Sequence, residues 1–134
     1  MTVPELATRL GVSAQTIYAM VGRGEVPEGA YDRVLVDAPC SGIGTLRRRP
    51  EILLRRTRED IARLSLLQAA IAQRASLALR PGGALVYAVC SVLAEEMEGV
   101  VKTLTGLRLE SITRLTPQAS GTDGYAIARM TRES

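Results

Sequence analysis

Two short apolar runs, each ending in a polar loop that carries a cysteine, bracket one long stretch of helical periodicity, and this alternation limits the possible folds more than any other feature of the chain. Tyr31-Asp32-Arg33-Val34-Leu35-Val36-Asp37 is a β-branched run closed by a carboxylate, and Ala84-Leu85-Val86-Tyr87-Ala88-Val89 is a second apolar run. Runs of this length and composition form buried strands. Between them Ile61, Leu64, Leu67, Ile71, Ala75 and Ala78 recur at the spacing of one helix face. Thr57 and Asp60 make a capping box in which Asp replaces the usual Glu or Gln, and Arg80-Pro81-Gly82-Gly83 ends the helix. Strand, helix, strand is a βαβ unit, with a right-handed crossover and parallel strands. Cys40 and Cys90 then leave the sheet at one carboxyl edge, where open α/β sheets bind ligands. Farther along, the pattern predicts an amphipathic helix over about 93–104, a strand at Leu107–Leu115, a loop at 116–124 and a last strand at 125–130.

Composition narrows the function. The 134 residues suit a single modest core, and 46% hydrophobic with 23% charged residues is a globular balance. There is no Phe or Trp and only 4 Tyr, so the core is expected to be built from Leu, Ile, Val and Ala. The same lack argues against single-strand binding by base stacking on aromatic platforms. Net charge is +3, and all 17 basic residues but Lys102 are Arg. An Arg fork suits phosphate oxygens, although Arg-rich codon usage in a GC-rich genome gives the same count. No His and two Cys argue against a zinc site. The opening Met1-Thr2-Val3-Pro4-Glu5 lacks the basic start and apolar run of a signal peptide, and no apolar segment reaches the roughly 20 residues that span a bilayer. The chain thus reads as cytoplasmic, away from membranes, with both thiols reduced.

Residues 1–30 read differently from 31–134. Pro4 to Leu10 forms one short helical pattern, Gly11-Val12-Ser13 breaks it, and Ser13 caps a second pattern from Ala14 to about Val21. The string LATRLGVSAQTIYAMVGRGEVP resembles the DNA-reading segment of excisionase-like helix-turn-helix regulators, which implies duplex DNA as a partner of residues 4–27. Any small helical hairpin shares this look.

The chemistry suggested by the second part rests on Asp37, Cys40 and Cys90. Cytosine C5 is too poor a nucleophile to take a methyl group unaided. A thiolate added at C6 makes C5 enamine-like, a carboxyl group at N3 assists the addition, and a second thiol serves as base or assists release. DRVLVDAPCSGIGTLRRRP followed by LRPGGALVYAVCSVLAEEMEGVV resembles two matched blocks of the RsmB/Sun family of ribosomal RNA cytosine-5 methyltransferases, and PQASGTDGYAIARM resembles that family's last strands. The likeness covers about three quarters of the chain. It implies an α/β fold, the C-terminal half of a Rossmann-like, mostly parallel S-adenosyl-L-methionine (SAM) methyltransferase sheet after a short helical segment. It further implies an enzyme, SAM as cofactor and RNA as partner. By the same resemblance Cys90 is the nucleophile, Cys40 the cysteine of product release, and Asp37 the aspartate between cofactor and base. Pro39 shapes that loop beside the cofactor, Gly42 and Gly44 admit the base closely, and Arg47, Arg48 and Arg49 meet the RNA backbone.

Each residue also has a plainer reading. A free Cys is most often a small buried hydrophobe, Asp37 is suited to capping a turn, and the six arginines of 47–58 also suit a solvated face. Val89 and Met97 depart from the family's usual Thr before the nucleophile and Asn after the paired glutamates. The Gly-rich turn and ribose-binding acid of a SAM pocket have no counterpart before Tyr31. Strand 33–37 is therefore expected to show an unpaired apolar edge, covered by the N-terminal helices, a second copy or a complementing chain.

Overall fold

The computed structural model describes residues 27–134. The helix-turn-helix reading of 4–27, its DNA contact, and the covering of strand 33–37 by N-terminal helices fall outside the described residues. In chain order the elements are β1 (Tyr31–Asp37), a 3-10 turn (Ile43–Thr45), α1 (Ile52–Arg55), α2 (Arg58–Ser76), β2 (Leu79–Val89), a second 3-10 turn (Ala94–Glu96), α3 (Glu98–Val101), β3 (Leu107–Leu115), α4 (Pro117–Ser120) and β4 (Tyr125–Arg132).

The strands form one sheet in the order β1-β2-β4-β3. β1 and β2 are parallel, with Val34, Leu35 and Val36 opposite Leu85, Val86 and Tyr87. β4 runs antiparallel to both β2 and β3. Three strands thus share one direction and β4 alone is reversed. The α/β sheet is mostly parallel in direction, although only one of its three pairings is parallel.

Local sequence explains most of this. The Thr57 hydroxyl accepts from Asp60 N at 3.1 Å while the Asp60 carboxylate accepts from Thr57 N at 3.0 Å, so both halves of the capping box are present. The face of α2 that meets the sheet holds Gln68, Ala72, Ala75 and Ser76. The expected stripe is displaced: Leu67 is 47% exposed, because small alanines let the helix sit close and Gln68 finds polar partners underneath. β2 starts at Leu79, ahead of the expected residue 84, since Leu79 is fully buried and lies opposite Tyr31. The register slips before Arg33, where Pro81, without an N–H, interrupts a regular ladder. Beyond it Gly83, Leu85, Tyr87 and Val89 are buried at the strand period of two.

Three expectations are corrected. The core is not purely aliphatic: Tyr87 is its largest fully buried side chain, with Met97 and Met130 beside Leu79, Leu85, Ala126 and Ala128. Tyr87 fits because its β4 partner is only Ala128. The helix expected over 93–104 is instead a 3-10 turn and one turn of α3, broken at Met97 with φ −122° and ψ −81°. There the Glu96 and Met97 side chains are both drawn fully inside. Within the loop at 116–124, Thr116 caps the short α4 through Ala119 N.

β1 is an edge of the described sheet, bonded to β2 alone. A cleft of about 970 Å³ opens along it, lined by Leu35, Val36, Leu67, Ala70 and Ile71 and running up to the cysteines. Among the described residues no helix is long and apolar enough to cross a membrane.

Candidate active site

Adjacent parallel strands deliver the two thiols. β1 ends at Asp37 opposite Ala88, Ala38 N extends the pairing to Ala88 O at 3.1 Å, and Pro39-Cys40-Ser41 turns away. β2 ends one residue before Cys90. Cys40 Sγ and Cys90 Sγ lie 3.1 Å apart, both as free, half-buried thiols. Asp37, Pro39, Cys40, Ser41, Gly42, Arg49, Arg55, Arg56 and Cys90 line the same cleft.

One proton serves the pair. Donation from the Cys40 thiol, opposed by burial and by the charges of Asp37 and Glu96, pulls Cys90 down from 9.0 to about 7. Cys40 moves far upward, first because it donates that hydrogen bond, then through burial and the neighbouring thiolate. A thiol at 9.0 is roughly one per cent ionised at pH 7, whereas a thiol near 7 is about half ionised. The arrangement favours the thiolate on Cys90 and the proton on Cys40. Burial raises Asp37 above its ordinary value.

The loop is pinned from several directions. Gly42 adopts a left-handed conformation, φ 76°. Ser41 N and Oγ donate to Glu96 Oε1 and Oε2 at 2.7 and 2.6 Å. Gln68 Nε2 donates to Pro39 O at 2.9 Å, and Arg56 Nε to Ser41 O at 3.1 Å. The close approach that Gly44 allows is to the protein's own backbone. Its N–H donates to Cys90 O, Gly124 N donates to Gly44 O, and a Cβ there would lie 2.0 Å from Gly124 O.

Arg47, Arg48 and Gly44 lie outside the cleft lining. Arg47 Nε and Arg48 Nε donate to the two carboxylate oxygens of Asp123 at 2.8 and 2.7 Å. Arg48 first, then Arg47, hold Asp123 down to about 2. Arg49 pairs with Glu51 at 3.3 Å and faces the cleft, joined by Arg55 and Arg56. Sequence reasoning missed Gln68, Glu96 and Asp123. Their signals were a glutamine within an apolar helix face, an acid pair just past Cys90, and a lone acid between Thr122 and Gly124.

Known proteins resemble this chain in sequence and in fold. The family described as 16S rRNA methyltransferase RsmB/F matches residues 2–122. Ribosomal RNA small subunit methyltransferase B of Salmonella paratyphi B is 46% identical over 100 residues, covering 71% of this chain and 23% of the relative. NSun6 from Pyrococcus horikoshii, solved with SFG, is 32% identical with a TM-score of 0.66, over 75% of this chain and 29% of that one. A methyltransferase homolog protein from Pyrococcus horikoshii is 28% identical with a TM-score of 0.69, over 84% and 42%. The chain thus spans under a quarter of the curated relative's length and carries part of a Rossmann-like sheet. By the family match over most of its length, this chain belongs to the RsmB/F family of 16S rRNA methyltransferases.

Proposed function

We propose that the chain supplies the cytosine-activating part of a SAM-dependent ribosomal RNA cytosine-5 methyltransferase. The observation that carries the reading is the 3.1 Å contact between Cys40 and Cys90 in a cleft shared with Asp37. SAM fits one wall of that cleft, where Asp37, Ala38 and Pro39 follow the apolar Leu35 and Val36. A neighbour solved with SFG, a SAM analogue, supports the same cofactor. When bound, SAM supplies a methyl group at a positively charged sulfur. The described residues of β1 and its following loop would hold that group from one side.

The protein's own part begins with Cys90. Its thiolate forms a bond to cytosine C6, and the displaced electron pair makes C5 nucleophilic while a protonated Asp37 hydrogen-bonds N3. Once Cys90 is bonded to carbon it no longer carries charge, so the main cause of the high Cys40 affinity for its proton disappears. Cys40 can then release its proton to solvent and, as a thiolate, remove the C5 proton after methylation. The C5 electron pair restores the ring double bond and expels Cys90 as thiolate, which returns the pair to one proton. Arg49, Arg55 and Arg56 flank the cleft as contacts for RNA phosphates, which give affinity without sequence choice.

RNA containing 5-fluorocytidine tests this, because fluorine blocks the last step and traps the adduct. With SAM and the remainder of a methyltransferase fold supplied, a covalent complex is expected, and Cys90→Ala abolishes it. No adduct under those conditions would sink the proposal.

A further inference from the structure

Glu96 is completely buried, yet among the described residues no cation pairs with it. Its two carboxylate oxygens instead collect three donors: Ser41 N at 2.7 Å, Ser41 Oγ at 2.6 Å and Gln68 Nε2 at 3.1 Å. Its backbone carbonyl accepts from Tyr87 OH at 2.7 Å, and Tyr87 also donates to Gln68 Oε1 at 3.1 Å. A buried carboxylate without a cation is costly unless its lone pairs are filled. Here they are, largely by the residue next to Cys40.

We infer that Glu96 is a positioning residue, anchoring the Ser41 peptide so that Cys40 Sγ stays in donor contact with Cys90 Sγ. The inference rests on the thiol pair being the reactive centre and adds the device that holds it. Two observations independent of the thiols support it. The chain breaks its helical course at Met97 to carry the Glu96 side chain inward. Gln68, the one buried amide on α2, bridges Glu96 and Pro39 O, so both sides of Cys40 are tied to one network.

Charge and position predict opposite signs. Cys90 is faced by Asp37 from β1, Cys40 from the loop, Glu96 from the turn before α3, Tyr125 from β4 and Arg48 beyond the first 3-10 turn. As a bare negative charge Glu96 disfavours the Cys90 thiolate, so its removal should lower the Cys90 midpoint. As an anchor it preserves the Cys40 donor, so its removal should raise it.

The test is the pH dependence of iodoacetamide alkylation at Cys90 in the 134-residue chain, read by site-resolved mass spectrometry alongside thermal melts. Glu96→Ala should raise the midpoint by about one unit or more. Glu96→Gln, which keeps an acceptor for Ser41 N, should stay at or below the unsubstituted chain. An unchanged or lowered midpoint in Glu96→Ala overturns the inference. If Glu96→Ala fails to fold, Ser41→Ala decides: a smaller rise supports the anchor, and no rise or a fall overturns it. No RNA or methyl donor takes part. A chain that alkylates as expected but traps no RNA loses the proposed function and keeps this inference.

Discussion

The two sides of the Cys40 loop are built in opposite ways. Beneath it, Gln68, Tyr87 and Glu96 form a closed polar network, and every buried side-chain N or O among the described residues has a hydrogen-bond partner. Alongside it, β1 ends the described sheet and Leu53, Leu54, Leu66 and Leu67 are 64%, 91%, 74% and 47% exposed. Thiol geometry is therefore set by short contacts within these residues, whereas among the described residues the outer side of the cleft along β1 and α2 is open. The thiol pair is held entirely by described residues.

The comparison breaks most readily at Gly44. A Cβ there meets Gly124 O at 2.0 Å and Cys90 O at 2.9 Å, both backbone atoms that cannot swing aside. Gly44→Ala should cost about 3 kcal/mol of stability in urea unfolding. A cost under about 1 kcal/mol would mean the two cysteine loops are not fastened together.

Next in size is Cys40→Ala. Without its donor, Cys90 should titrate near 9.0 instead of about 7, read by alkylation against pH. The sign carries into folding. Cys90 is depressed in the folded chain, so its contribution is present above 9.0 and is lost as pH falls through about 7. Cys40 is raised, so above 9.0 it opposes folding. Stability of the unsubstituted chain should climb from pH 7 to 9 and then decline, while Cys40→Ala shows neither limb.

A smaller effect is expected at Asp123. Held down to about 2 by Arg48 and Arg47, it contributes stability that is full above 3.8 and fades as pH falls through about 2. Asp123→Asn should be less stable than the unsubstituted chain at neutral pH and converge with it in strong acid. Parallel acid titrations of the two would break this reading.

Smallest of all, Leu54→Ser and Leu67→Ser should each change stability by less than about 0.5 kcal/mol. A larger loss would show that residues 1–26 or a second molecule cover that face. The open side of the comparison would then be closed.

Much of this was legible in the sequence because it is local. The capping box, the β-branched run of β1 and the cysteines at matching strand ends each depend on a few neighbouring residues. What escaped depends on partners far along the chain. Glu96 bonds a residue 55 positions away and Arg47 one 76 away, and no periodicity encodes such pairs. The rotation of α2 that leaves Leu67 outward follows from Gln68 having partners in Pro39 and Tyr87. Arg47 and Arg48 looked free for phosphate until folding brought Asp123 beside them.

Tyr87 sits near the carboxyl end of β2, an inner strand, fully enclosed, yet its hydroxyl bonds the Gln68 side chain and the Glu96 backbone carbonyl, the two residues that steady the cysteine loop. Interior packing and chemistry here share a single hinge pin. A slightly looser sheet would register first as a shift in Cys90 alkylation, well before the chain lost its shape, so tolerance to substitution at the heart of this domain should track thiol reactivity more closely than melting temperature.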